Sequence, residues 1–199
     1  VGTLEAGCGP RENGVLDGIS LLILDVDGVL TDGRIIYDSR GADVKRFHVL
    51  DGQGLKYWIR AGHDAAVLSG RDSVTIRRRA GEAGIKAVYT GVKDKLPVFE
   101  TILKRMKRRP DQVCFVGDDL VDLSVMARCG FAVATRGAMA EVRRTAQYVT
   151  RAEGGAGAVR EVVELLLRYQ DLWPEVTRRY RDSLPQTLPP RRRPWRDDR

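Results

Sequence analysis

The chain has 199 residues, 43% of them hydrophobic, and carries 34 Lys and Arg against 27 Asp and Glu, a formal net charge of +7. That is enough apolar material for one substantial core, but no apolar stretch is long enough to cross a bilayer. The N-terminus also lacks a basic segment followed by an apolar one, so no membrane partner and no signal peptide are expected, and a cytoplasmic location is the default. The basic excess gathers in Arg77-Arg78-Arg79, in residues 104–109 and in the C-terminal arginines. Aromatic residues do not alternate with these clusters as a base-stacking surface requires, so no nucleic-acid partner is expected. Cys8, Cys114 and Cys129 have no metal-ligand spacing and read as reduced thiols.

Residues 1–17 mix Gly, Pro and charge without a period and read as a loose leader. The run Ile19-Ser20-Leu21-Leu22-Ile23-Leu24 then has the uninterrupted apolar pattern of a strand covered on both faces in a parallel sheet. It stops at Asp25-Val26-Asp27-Gly28, where Gly28 lets the backbone turn without a Cβ clash. Arg34-Ile35-Ile36-Tyr37 and Val44-Lys45-Arg46-Phe47, flanking Asp38-Ser39-Arg40-Gly41, predict a β-hairpin. A short helix is expected over residues 54–60, then a strand Ala65-Ala66-Val67-Leu68 ending in Ser69-Gly70-Arg71. Asp72 or Ser73 can cap a helix that Gly84 ends. Val88-Tyr89 reads as a short strand, and residues 94–107 have helical spacing. Val113-Cys114-Phe115-Val116 is a further strand, ending in Gly117-Asp118-Asp119, with a helix to Cys129, a strand Phe131-Ala132-Val133, a helix near 138–145, Tyr148-Val149 and a helix over 159–169 after it. This alternation predicts an α/β fold, a Rossmann-like doubly wound parallel sheet, over residues 18–170. Residues 171–199, rich in Pro and Arg, lack a helical or strand period and read as a flexible tail.

Three of the predicted strands end in carboxylates or a hydroxyl, and that edge of an open α/β sheet is where ligands bind. Asp25 and Asp27 are two residues apart and would share a face in a regular strand. Two such charges resist ionising together unless a cation joins them or one keeps its proton.

The segments Asp25-Val26-Asp27-Gly28-Val29-Leu30-Thr31-Asp32, Ser69, Lys95 and Gly117-Asp118-Asp119-Leu120-Val121-Asp122 resemble, in order, the four motifs of haloacid-dehalogenase-type phosphatases. Within that superfamily the chain is most similar to the 3-deoxy-D-manno-octulosonate 8-phosphate phosphatases, through Thr31-Asp32-Gly33, the hairpin, Asp51-Gly52-Gln53-Gly54, Ser69-Gly70-Arg71 and the glycine-rich segment from Gly154 to Glu161. The resemblance implies that Asp25 is the nucleophile, forming an aspartyl-phosphate. It implies that Asp27 is the general acid and base, a role that crowding by Asp25 would support. Magnesium would be held by Asp25, the backbone carbonyl of Asp27 and Asp118, with Asp119 and Asp122 in support. Ser69 and Lys95 would contact the phosphoryl oxygens, and Arg71, Thr31 and Gly70 the remainder of a phosphorylated sugar-acid substrate. His48 and His63 have no third ligand at metal spacing and read as incidental.

Many relatives carry a cap domain, but residues 32–69 leave room only for the hairpin flap and a short helix, so no cap is expected. Similar capless enzymes are homotetramers in which the hairpin and glycine-rich segment of neighbours close the pocket, and the same is expected here. Ala156 stands where the octulosonate enzymes commonly have an arginine, which bears on substrate choice. A related keto-deoxy sugar acid, such as a nonulosonate 9-phosphate, is the alternative substrate. A phospho-accepting receiver domain and a non-catalytic binding protein are the alternatives of another class.

Overall fold

Leu21–Leu24 forms β1, and all four side chains are buried because this strand lies in the middle of a six-stranded sheet. The structure, a computed structural model, describes residues 14–183. After β1 come the hairpin strands β2 (Ile36–Tyr37) and β3 (Asp43–Val44), then β4 (Asp64–Leu68), β5 (Ala87–Tyr89), β6 (Val113–Gly117), β7 (Phe131–Ala134) and β8 (Tyr148–Val149). The sheet runs in the order β5-β4-β1-β6-β7-β8, and every pair in it is parallel. The chain builds outward from β1 through β4 to β5, then returns to the other side of β1 for β6. The direction of winding therefore reverses between β1 and β6, the switch point beyond whose carboxyl ends an open sheet forms its ligand crevice.

Period-two alternation along the strands divides the core between the sheet faces. Leu22, Leu24, Val67, Val116 and Val133 meet the helices α1 (Val49–Arg60), α2 (Val74–Ala83) and α6 (Ala158–Tyr169). Leu21, Ile23, Ala66, Phe115 and Ala132 meet α3 (Lys95–Met106), α4 (Leu123–Met126) and α5 (Ala140–Thr145). Both faces being covered accounts for the unbroken apolar runs in the strands. Between β1 and β4 the chain makes only the hairpin and α1, so the expected doubly wound sheet, hairpin and absence of a cap are what the structure has.

Two elements differ from the sequence expectation. The helix expected over 54–60 begins at Val49, with His48 as N-cap, and takes in Gly52 and Gly54. Glycine weakens a helix interior, but here it permits close packing: a Cβ on Gly52 would lie 2.1 Å from Arg79 Nη2, and one on Gly54 would lie 3.0 Å from Arg160 Cδ. The expected flexible tail is also corrected, because Trp173–Arg181 forms a helix, α7. Pro174 sits in its first turn, where a missing N–H costs nothing, and Val176 is buried while Trp173 stacks edge-on against Tyr57 of α1 at 5.7 Å between centroids. The rest of the expected tail, residues 184–199, and residues 1–13 of the expected leader, with Cys8, lie outside the described residues. At residues 14–17 the leader is already anchored, since Leu16 is buried and its carbonyl accepts from Gln170 Nε2 at 2.8 Å. Cys114 and Cys129 are free thiols.

The carboxyl-end loops are braced from α6. Asp51, buried at the start of α1, accepts from the backbone N–H of Arg160 at 2.8 Å and so caps α6 from a distant part of the chain. Glu161 accepts from Arg151 N and Ala152 N, each at 3.0 Å, and from the Tyr148 hydroxyl at 2.6 Å, which fixes the loop after β8.

Candidate active site

Asp25 continues β1, its N–H donating to Val116 O at 3.0 Å, and its carboxylate is therefore delivered to the end of the central strand. Lys95, the first residue of α3, is buried rather than solvated, and its Nζ lies 3.0 Å from Asp25 Oδ1 and 2.6 Å from Asp122 Oδ1. A buried ammonium requires such partners. Burial works against the Lys95 charge, but Asp25 and Asp122 together outweigh it and its pKa is raised.

Asp122 is wholly buried, and its second oxygen accepts from the N–H groups of Asp118 at 2.9 Å and Asp119 at 3.2 Å. Both oxygens are thus occupied in bracing Lys95 and the end of β6. Asp119 caps the one-turn helix that follows, accepting from Leu120 N at 2.7 Å. Asp118 differs from both, because its Oδ1 is buried and has no hydrogen-bond partner. Burial, with the charges of Asp25, Asp122 and Asp119, pushes the Asp118 carboxyl up to about 8. Asp25 is pushed up to about 6 by burial, against the pull of Lys95.

Oxygens of Asp25, Asp118 and Asp122 lie within 4.8 Å of one another. Three carboxylates facing one ammonium leave an excess of negative charge. With an unpartnered oxygen and an all-oxygen donor set, the cluster fits a hard divalent cation such as magnesium. Gly28 makes the cluster possible: its φ of +83° favours glycine, and a Cβ there would lie 1.9 Å from Asp118 Oδ2.

Asp27 stands apart from these three. Its Oδ1 meets Lys45 Nζ at 2.5 Å, and its Oδ2 lies 3.8 Å from Arg71 Nε. Its ion-pair partners are therefore two cations, Lys45 and Arg71. Arg71 extends towards Tyr37 of the hairpin, its Nη2 being 3.4 Å from the hydroxyl. Thr31, expected among the substrate contacts, is buried and donates to Val26 O at 3.3 Å while accepting from Gly33 N at 3.3 Å, so its hydroxyl shapes the loop instead. Ser69 directly follows β4 and is buried, with Oγ accepting from Arg71 N at 3.3 Å, and Gly70 follows it at the same edge.

Sequence reading missed two contributors, Lys45 and Thr135, and did not anticipate that the glycine-rich segment backs the loop after β1. Lys45 belongs to a hairpin whose neighbouring residues are mostly exposed, and no spacing rule marks it as the side chain that turns inward. Thr135, after β7, donates to Gly28 O at 3.1 Å. Gly154 backs the same carbonyl, where a Cβ would be 1.9 Å from Gly28 O, and a Cβ on Gly155 would be 2.6 Å from Asp32 N. The glycine-rich segment thus packs on the loop after β1 of its own chain.

A family profile of haloacid dehalogenase-like hydrolases matches residues 80–162. The 3-deoxy-D-manno-octulosonate 8-phosphate phosphatase of Yersinia pestis is 43% identical over 153 residues, 77% of this chain and 82% of that protein. The enzyme of the same name from Escherichia coli K12 is 42% identical over 154 residues, 77% and 82% of the two chains. Among solved structures, the Moraxella catarrhalis phosphatase of that name, in complex with magnesium, phosphate and KDO, superposes with a TM-score of 0.81 at 36% identity, covering 83% of this chain and 95% of that one. A cobalt-bound form from Haemophilus influenzae gives 0.77 at 40% identity, covering 79% and 92%. Sequence, fold and the acid cluster at the switch point agree: the chain belongs to the haloacid dehalogenase-like hydrolases, in the 3-deoxy-D-manno-octulosonate 8-phosphate phosphatase family.

Proposed function

We propose that this protein is a magnesium-dependent phosphomonoesterase that releases phosphate from 3-deoxy-D-manno-octulosonate 8-phosphate, acting in the cytoplasm in lipopolysaccharide precursor synthesis. The observation that carries the reading is the meeting of Asp25, Lys95, Asp118 and Asp122 at one sheet edge. Asp25 attacks phosphorus as the bond to the sugar oxygen breaks, and Asp27 gives that oxygen its proton. Asp27 then takes a proton from water, whose oxygen attacks the aspartyl-phosphate and restores Asp25. Lys95 and Ser69 hold the phosphoryl oxygens and offset the charge that builds on them. Magnesium, held by Asp25, Asp118 and the Asp27 carbonyl, would neutralise phosphate charge and orient the ester for in-line attack. Arg71 offers a guanidinium for the sugar carboxylate, and Gly70 leaves the approach beside it open.

A homotetramer is part of this reading. It is supported by large apolar side chains exposed around the site edge, among them Tyr37, Val49 and Val74, of the kind that neighbouring subunits cover. Ala156, in place of the arginine common in octulosonate enzymes, favours as second reading a nonulosonate 9-phosphate. A phosphate-release screen over phosphorylated sugar acids with magnesium tests both. The octulosonate ester is expected to be turned over fastest, and Asp25→Asn to lose activity by about a thousandfold or more. Release that survives Asp25→Asn overturns the mechanism, and release confined to nonulosonates corrects the substrate.

A further inference from the structure

Lys45 lies just beyond β3, and its side chain is only 1% exposed. An ammonium that deep must be answered by other charges. Asp27 Oδ1 answers it at 2.5 Å and Asp43 Oδ2 at 3.6 Å. Arg71 stands on the opposite side of both carboxylates, with Nε 3.8 Å from Asp27 Oδ2 and Nη2 3.8 Å from Asp43 Oδ1. These contacts are unequal in kind. A charge-assisted hydrogen bond at the Lys45 distance is strong and directional, whereas 3.8 Å lies beyond hydrogen-bond reach. The Asp27 carboxyl is therefore clamped through Oδ1, while Oδ2 faces Arg71, which is 37% exposed and so marks the open side.

A general acid works only if the oxygen that carries its proton is held within reach of the departing atom. We propose that Lys45 is a positioning residue for leaving-group departure: by clamping Asp27 Oδ1 it presents Oδ2 to the ester oxygen, and Asp43 holds the ammonium in place for that task. In this step the Oδ2–H proton passes to the ester oxygen, which takes the electron pair of the breaking P–O bond while the Asp25 oxygen bonds to phosphorus. The assignment rests on the phosphatase reading above. It adds a role for the hairpin, which ties the flap to the proton donor within a single chain.

The test separates a proton-donor effect from general damage by varying the leaving group. Octulosonate 8-phosphate releases a poor, alkoxide-type leaving group that needs a proton, whereas p-nitrophenyl phosphate releases a stable phenolate that does not. Single-turnover release of the leaving group, at saturating magnesium, is measured for the full-length wild type and for Lys45→Met. Lys45→Met is expected to slow sugar release relative to p-nitrophenolate release by about tenfold or more, the lower range of general-acid effects. A ratio equal to that of the wild type, whether both rates fall together or neither falls, overturns the assignment and makes Lys45 a folding residue. Should Lys45→Met fail to fold, Asp43→Asn, which leaves Lys45 with one anchor, is expected to move the ratio in the same direction by a smaller factor, and an unmoved ratio there overturns the assignment equally. A wild type inert towards both esters removes the phosphatase reading and this assignment with it.

Discussion

At the scale of single residues, the site is organised by charge imbalance. Without a cation, Asp118 is pushed up to about 8 and Asp25 to about 6, both above the ordinary value of 3.8. The folded protein then holds protons that the unfolded chain has already released, so unfolding becomes easier as pH rises. The stability from these neutral carboxyls is full below about pH 4 and is lost on passing through their raised values. A divalent cation binds the ionised forms, so its stabilising effect must grow across the same window. Thermal melts are expected to show a magnesium-induced rise in Tm that is larger near pH 8 than near pH 5, and Asp118→Asn is expected to remove most of it. A rise that shrinks with increasing pH would place the cation elsewhere. Asp25 and Asp118 were legible in the sequence because each is fixed locally, at the end of an apolar strand. Lys45 was not, since its pairing with Asp27 depends on how the hairpin folds back over the loop.

At the scale of elements, the sheet was readable because strands buried on both faces are written as unbroken apolar runs. The helices were readable where a cap and a period agree, as at Gly84 after α2. Two helices were obscured by residues that usually break them. Gly52 hid the first turn of α1, and Pro174 hid the start of α7, although spacing of Trp173, Val176 and Tyr180 puts them on one face. The packing of α7 against α1 and α6 makes it part of the core, and Arg168 adds a cation–π contact 4.6 Å from the Trp173 ring. Trp173→Ala is expected to cost roughly 1–3 kcal/mol in urea unfolding, as a half-buried aromatic does. KM is expected to stay unchanged, because α7 packs chiefly on α1 and α6 rather than on the strand ends that carry the acid cluster. A loss of substrate affinity without loss of stability would show that α7 acts on the site instead.

At the scale of the whole molecule, exposed apolar residues concentrate where the sheet opens. Ile35 and Tyr37 on the hairpin, Val49 at the start of α1, Val74 at the start of α2 and Leu120 after β6 are all exposed. The tetramer proposed above would cover them, and sedimentation velocity is the direct check. A wild type of four subunits and a Tyr37→Glu/Val49→Glu double variant that dissociates with a raised KM are expected. A wild type that sediments as an active monomer would show that the open edge works uncovered. Such assembly leaves no periodic trace in one chain, which is why the sequence points to it only through resemblance.

Asp25, the proposed nucleophile, is encoded near the beginning of the domain, but the loop that follows it is supported at Gly28 by Thr135 and by the bare backbone of Gly154, both translated later. A ribosome therefore displays Asp25 long before the wall behind Gly28 exists. Half-made protein has the proposed reactive group without the socket that aims it, so the proposed hydrolysis is expected to begin only when synthesis of the domain is complete.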